Sequence, residues 1–195
     1  AVVILNWNGL ELLRSFLPSV VGSLPEYAEL IIADNASTDK SIDFVKANFT
    51  KIKIIQNKSN GGFAKGYNDA LKYVNNKFLV LLNSDIETPN NWIEPVIDFM
   101  EANPTTGAAM PKILQLKNKT HFEYAGAAGG FIDKWGFPFC RGRIFNELEE
   151  DLGQYDTEKE IFWASGAALV TRSKLYWQAG GLDEDFFAHM EEIDL

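Results

Sequence analysis

Asn83-Ser84-Asp85 directly follows the apolar run Phe78-Leu79-Val80-Leu81-Leu82. A continuous apolar run of this length reads as a buried parallel strand. In open α/β sheets, ligands bind in the crevice outside the carboxyl ends of the strands. An aspartate placed there suits a hard cation, Mg²⁺ or Mn²⁺, which takes one or two carboxylates and fills its shell with water and phosphate oxygens. A plain turn is the competing reading, because Asn, Ser and Asp all favour turns. Two other strand ends look alike: Asn6 and Asn8 follow residues 2–5, and Asp34 and Asn35 follow residues 30–33. A fourth group, Asn60-Gly61-Gly62 through Lys65 to Gly66 with Asn68 beyond, opens a helix. Its free N–H groups and dipole favour an anion, and Lys65 would add a direct cation. Taken singly, each group reads as a turn or cap. Together on one sheet edge they suit a nucleotide, its base near Asp34 and its diphosphate near a metal on Asp85.

Two common phosphate cradles are excluded by spacing. A dinucleotide fingerprint needs G-x-G-x-x-G after the first strand, whereas that turn reads Asn6-Trp7-Asn8-Gly9-Leu10-Glu11. A P-loop needs G-x-x-x-x-G-K-[ST]. In Gly61-Gly62-Phe63-Ala64-Lys65-Gly66-Tyr67 the lysine precedes the second glycine and a tyrosine follows it.

The elements that would position these residues alternate over the first half. Strands are expected at 2–5, 30–33, 52–55 and 78–82. Helices are expected at 10–21 with Pro18 as a kink, at 39–49 capped by Ser37 or Thr38, along the stripe Phe63, Tyr67, Ala70, Leu71 and Val74, and at 92–100. Such repeats imply a parallel sheet with right-handed crossovers and helices on both faces. From about residue 107 the pattern changes to Gly- and aromatic-rich loops and short strands. Residues 147–151 read as a solvated acidic loop. Residues 162–170 read as a late strand whose small side chains leave room for something to approach the backbone. A short helix at 173–178 and a turn at 180–183 follow.

The chain has 195 residues, 46% hydrophobic and 23% charged, which fits one globular domain rather than disorder. A net charge of -9 argues against a broad nucleic-acid surface. One cysteine, Cys140, excludes an internal disulfide and a thiolate zinc cluster, and the two histidines, His121 and His189, lie far apart. No apolar run approaches the ~20 residues of a membrane span. The chain starts inside a strand pattern and stops inside an acidic helical one, so we expect a piece of a longer protein.

The series Val3-Ile4-Leu5-Asn6-Trp7-Asn8-Gly9, Asp34-Asn35-Ala36-Ser37-Thr38-Asp39, Asn60-Gly61-Gly62-Phe63-Ala64-Lys65-Gly66-Tyr67-Asn68 and Leu81-Leu82-Asn83-Ser84-Asp85 resembles successive motifs of the family 2 glycosyltransferases. Gly166-Ala167-Ala168-Leu169-Val170-Thr171-Arg172, Gly180-Gly181-Leu182-Asp183-Glu184-Asp185-Phe186-Phe187 and Glu191-Glu192-Ile193-Asp194-Leu195 continue it. The resemblance spans nearly the whole chain in order and is weakest over 112–160. It implies a GT-A fold: an α/β, Rossmann-like, mostly parallel sheet with helices on both faces and an irregular acceptor-side half. It further implies one domain, 1–195, incomplete at both ends, with a nucleotide-binding half at about 1–110 and an acceptor and catalytic half at about 111–195.

By the same resemblance, Asp34 would bond the base with Asn6, Asn8 and Asn35 nearby. Gly61 and Lys65 would belong to the nucleotide site. Asp85 would hold Mg²⁺ or Mn²⁺ as the last residue of the Asp-x-Asp position, whose first residue here is Asn83, as in a rhamnosyltransferase-like branch. Asn83 can still bond a ribose hydroxyl. Glu192 stands where the family's catalytic aspartate is expected, beside Glu191, and Asp194 lies next. A histidine metal ligand is expected beyond the end of the chain.

The activity implied is an inverting, metal-dependent transfer from a UDP- or dTDP-linked sugar to a glycan or lipid-linked acceptor, in polysaccharide biosynthesis. It would occur in the cytoplasm, at or near the inner face of the cytoplasmic membrane, with no nucleic-acid partner. A non-catalytic nucleotide-sugar binding module is the alternative. A sugar-phosphate nucleotidyltransferase is the third reading, and it lacks its Gly-rich, basic signature at Asn6-Trp7-Asn8-Gly9.

Overall fold

The computed structural model describes residues 1–126 and 128–195. Its first half runs β1 (Val2–Asn6), α1 (Leu10–Ser23), β2 (Leu30–Asp34), α2 (Ser41–Asn48), β3 (Lys53–Gln56), α3 (Gly62–Leu71), β4 (Phe78–Leu82) and α4 (Glu94–Ala102). The second half holds β5 (Ala108–Ala109), β6 (Gly130–Ile132), β7 (Pro138–Cys140), β8 (Arg143–Ile144), β9 (Glu147–Leu148), β10 (Ala168–Arg172), α5 (Ser173–Ala179) and α6 (Glu191–Asp194).

The central sheet has the order β3-β2-β1-β4-β10-β5. Strands β1 to β4 are parallel, while β10 runs antiparallel to both β4 and β5. Every residue of β2 and β4 is buried, as continuous apolar runs in a sheet covered on both faces require. Side chains alternate strictly between the two faces. Val2, Ile4, Ile32, Val80 and Leu82 pack with Leu13, Leu17, Val45 and Met100 beneath α1, α2 and α4. Val3, Ile31, Ala33, Leu79 and Leu81 pack with Ala64, Tyr67, Leu71 and Tyr176 beneath α3 and α5. Each fully buried Leu or Ile contributes about 1.5–3 kcal/mol to this core.

The chain builds β1 to β3 outward in one direction and then places β4 on the other side of β1. The switch point, where a crevice opens, therefore lies between the ends of β1 and β4. Tyr67 braces that seam from α3: its hydroxyl donates to Leu82 O at 3.1 Å and accepts from Leu5 N at 3.4 Å. Burial pushes the Tyr67 phenol well above its ordinary pKa.

Several local expectations are corrected. Helix α2 begins at Ser41, without a cap from Ser37 or Thr38. The Ser37 hydroxyl accepts from Asn6 and Asn8 instead, and Asp39 takes the Ser41 N–H at 3.0 Å. Helix α1 continues through Pro18, and α4 starts at Glu94 rather than Trp92. The late strand covers only Ala168–Arg172, because Trp163 leaves the sheet to cover Gly130, where a Cβ would meet the indole at 1.9 Å. The acidic 147–151 segment is structured: β9 pairs with β8, Glu150 bridges to His121, and Asp151 pairs with Lys112.

Candidate functional site

The expected residues do converge on the carboxyl edge of the sheet, though with different degrees of freedom. Asn6 and Asp34 end adjacent strands in register, and both are buried at 1% exposure. The Asn6 amide donates to Asp34 Oδ1 at 3.3 Å, Ser37 Oγ at 3.1 Å and Ser41 Oγ at 3.0 Å. Its own Oδ1 is buried without a partner, 2.5 Å from where a Cβ on Gly9 would stand. The Asp34 carboxylate also accepts from Ser37 N and from Gln56 Nε2 at 3.4 Å. These are long bonds, so the group is enclosed but weakly held.

Asn8 and Asn35 act as struts. Asn8, at φ 50°, accepts Thr38 N at 2.7 Å and Asp39 N at 3.2 Å, which fixes the turn after β2. Asn35 donates to Asn60 Oδ1 at 2.8 Å and Gly62 O at 3.0 Å and accepts from Asn57, tying β2 to the start of α3.

The expectation of an open anion cradle at Gly61 and Lys65 is corrected. Gly62 N donates to Asn60 Oδ1 at 2.9 Å and Phe63 N to Phe187 O at 2.7 Å, so the first two N–H groups of α3 are occupied. Lys65 is held by Asp69 at 3.0 Å and Glu184 at 3.3 Å rather than standing free. Those two carboxylates, Asp69 first, raise its pKa. A Cβ at Gly61 would lie 2.7 Å from the Lys65 side chain, so the glycine makes room for it.

Asn83 and Asp85 differ from all of these. Among the described residues, neither side chain enters a hydrogen bond or ion pair, and Asp85 is exposed. Both line a cavity of about 730 Å³ on the α1 side, together with Phe16, Thr88, Trp92 and Lys119. No group of three or more His, Cys, Asp or Glu side chains comes together among the described residues. An all-protein metal cage is thus missing there. One uncommitted carboxylate at a strand end nevertheless fits a divalent ion that takes its remaining ligands from water and phosphate.

Asn83 N donates to Ala167 O at 3.0 Å, joining the end of β4 to the segment before β10. Next to it, a Cβ on Gly166 would stand 3.8 Å from both Cβ and Cδ of Glu192. The space beside Gly166 is therefore shared by the Glu192 side chain and the Phe63 ring, whose Cζ would stand 3.5 Å from the same Cβ. Glu191 beside it is buried at 4% exposure, with Oε2 unpartnered. Burial, reinforced by the neighbouring Glu192 charge, raises its pKa above the ordinary glutamate value. Asp194 is exposed.

Ser37, Ser41 and Asp39 complete the Asn6–Asp34 network, and sequence reasoning gave them no part in it. The one available signal was the run of hydroxyl and carboxylate residues after β2. The importance of Asn68, a fully bonded buried amide, was likewise invisible, because its partners lie in the 170s and 180s.

The chain matches the model of Glycosyl transferase family 2 over residues 1–175. It is 22% identical over 201 residues to the N-acetylglucosaminyl-diphospho-decaprenol L-rhamnosyltransferase of Mycobacterium tuberculosis, covering 94% of this chain and 64% of that protein. Among solved structures it resembles GalNAc-T7 with UDP, GalNAc and Mn²⁺ at a TM-score of 0.70 and 17% identity, over 98% of this chain and 38% of that one. It also resembles the mannosyltransferase PcManGT from Pyrobaculum calidifontis in complex with GDP-Man and Mn²⁺, at a TM-score of 0.64 and 15% identity, over 94% of this chain and 47% of that one. The mostly parallel six-stranded sheet with its helices matches the GT-A fold of these neighbours, and the chain belongs to glycosyl transferase family 2.

Proposed function

We propose that this chain carries the donor site and the catalytic base of an inverting glycosyltransferase that uses a UDP- or dTDP-sugar and a divalent metal. The observation that carries the reading is the link from uncommitted Asn83 and Asp85, through Ala167, to Glu192 over Gly166. Family membership and the rhamnosyltransferase relative support it. Residues 1–110 form the nucleotide half and 111–195 the acceptor half. The acceptor is a glycan or a lipid-linked glycan, as in the name of that relative. The reaction belongs to polysaccharide assembly on the cytoplasmic side of a membrane. No helix among the described residues is long and apolar enough to cross one.

In this reading the nucleotide lies across the ends of β2, β1 and β4. Asp34 and Asn6 meet the base, and Asn83 bonds the ribose. Asp85 would hold Mg²⁺ or Mn²⁺, which when bound neutralises charge on the departing diphosphate. Glu192 takes the proton from the acceptor hydroxyl as that oxygen bonds to the anomeric carbon. The bond from that carbon to the diphosphate oxygen breaks on the opposite face, and the nucleoside diphosphate leaves with the electron pair. Attack opposite the leaving group inverts the anomeric centre.

The test is incubation of the full-length protein with Mn²⁺ and a panel of UDP-, dTDP- and GDP-sugars, following release of free nucleoside diphosphate. Release from one of the UDP- or dTDP-sugars supports the reading. Metal-dependent nucleotide binding with no release from any donor favours a non-catalytic binding module instead.

A further inference from the structure

Between β10 and α6 the chain crosses the outside of α3, and one buried amide fastens it there. Asn68, on α3, is 4% exposed. Its Nδ2 donates to Leu182 O at 2.7 Å and to Glu184 Oε1 at 3.3 Å. Its Oδ1 accepts the Tyr176 hydroxyl at 2.6 Å and Leu182 N at 3.1 Å. Two donors and two acceptor sites are thus all used, the full capacity of an asparagine side chain. Gly181, at φ +79°, makes the approach feasible, since a Cβ there would lie 2.6 Å from Asn68 Oδ1. Further along, Lys65 grips Glu184, and Phe187 O accepts Phe63 N at 2.7 Å while its ring covers Gly62.

Past this fastening, His189 and Met190 both adopt φ 75°. Two consecutive non-glycine residues in the left-handed region are costly and persist only where their flanks over-determine them. The downstream flank is buried Glu191 with Leu195, which packs against the cluster containing Tyr67 and Tyr176. The upstream flank is the Asn68 lock. Between them Glu192 is held against Gly166.

We infer that Asn68 and Tyr176 are positioning residues for Glu192: their hydrogen bonds to Leu182 and Glu184 hold the strained segment that sets the base over Gly166. This rests on the glycosyltransferase reading above. Neither residue lies at the strand ends where the nucleotide would bind, so both act on turnover and not on nucleotide affinity.

Asn68→Asp keeps the shape but turns an acceptor toward Leu182 O and the Glu184 carboxylate. Tyr176→Phe keeps the ring and removes the hydroxyl that donates to Asn68 Oδ1 at 2.6 Å and accepts Leu182 N at 3.4 Å, and it carries the test if the first variant does not fold. In the full-length protein, amide exchange over 182–187 and 191–195 should speed up about tenfold or more while residues 79–82 and 168–171 stay protected. With Mn²⁺, the dissociation constant for UDP or dTDP should stay within about twofold, and kcat on the donor that wild type turns over should fall about 10- to 100-fold with KM unchanged. Glu192→Gln should lose turnover without the change in exchange. Unchanged exchange in the 180s overturns the inference, and so does faster exchange with full kcat. Parallel loss of nucleotide affinity and kcat marks a merely structural role and overturns it as well. If wild type turns over no donor, the glycosyltransfer reading fails and takes this inference with it. Wild-type turnover with silent Asn68 and Tyr176 variants sinks the inference alone.

Discussion

The backbone N–H of Asn83 donates to the carbonyl of Ala167 at 3.0 Å, so the turn bearing Asp85 and the segment supporting Glu192 form one continuous backbone unit. In the glycosyltransferase reading proposed above, this tie would help to fix the separation between a metal on Asp85 and the base Glu192, which packs beside Gly166.

Asp85→Ala should leave the fold intact, because its side chain is exposed and bonds to nothing among the described residues. Calorimetric titration of UDP or dTDP with Mn²⁺ should show affinity about 10- to 100-fold weaker, from ~1.5–3 kcal/mol for a charge-assisted contact. Without Mn²⁺ the variant and wild type should bind alike. Equal binding under all four conditions would remove Asp85 from the metal site.

For Glu192→Gln in the full-length protein, nucleotide affinity should be preserved and transfer should drop about 10²- to 10⁴-fold, the usual contribution of a positioned general base. Full transfer in that variant would move the base to Glu191 or Asp194.

Much of this arrangement was legible in the residues. The strands declared themselves by unbroken apolar runs, as at Phe78–Leu82, and the polar residues after them marked the edge. Partners brought from far along the chain were not legible. Of the two partners of Lys65, Asp69 lies one helical turn away and was legible, whereas Glu184 is distant in sequence; the start of α3 looked open because the carbonyl that occupies Phe63 N belongs to Phe187. Local preference also misled at Ser37: its hydroxyl is good at capping, but Asn6 and Asn8 compete for it and win.

Gly9→Ala tests the Asn6 network from outside it. A Cβ would sit 2.5 Å from Asn6 Oδ1 and force the amide off Asp34 and Ser41. The cost should be about 1–3 kcal/mol, as for other overpacked buried sites, read as a lower urea midpoint at unchanged slope. Nucleotide affinity should weaken as well. An unchanged midpoint would mean that the turn has slack.

Glu191 predicts a pH dependence whose sign follows from burial. Its folded pKa lies above the ordinary 4.5, mainly through desolvation. The folded state then holds this proton more tightly than the unfolded state, so stability falls as pH rises from the unfolded value through the folded one, and the cost persists above it. Glu191→Gln should remove that component. Urea midpoints measured across this window should decline less steeply in the variant, and identical slopes would mean that Glu191 ionises freely.

The antiparallel course of β10 has an evolutionary consequence. Its register with β5, Val170 opposite Ala109 and Thr171 opposite Ala108, puts the departure and return of residues 110–167 on neighbouring strands. That excursion is a cassette with both ends stapled together. A change in its length would not re-thread the sheet, so under the proposed glycosyltransferase reading descendants of one ancestor would acquire new acceptors here while keeping the same donor edge.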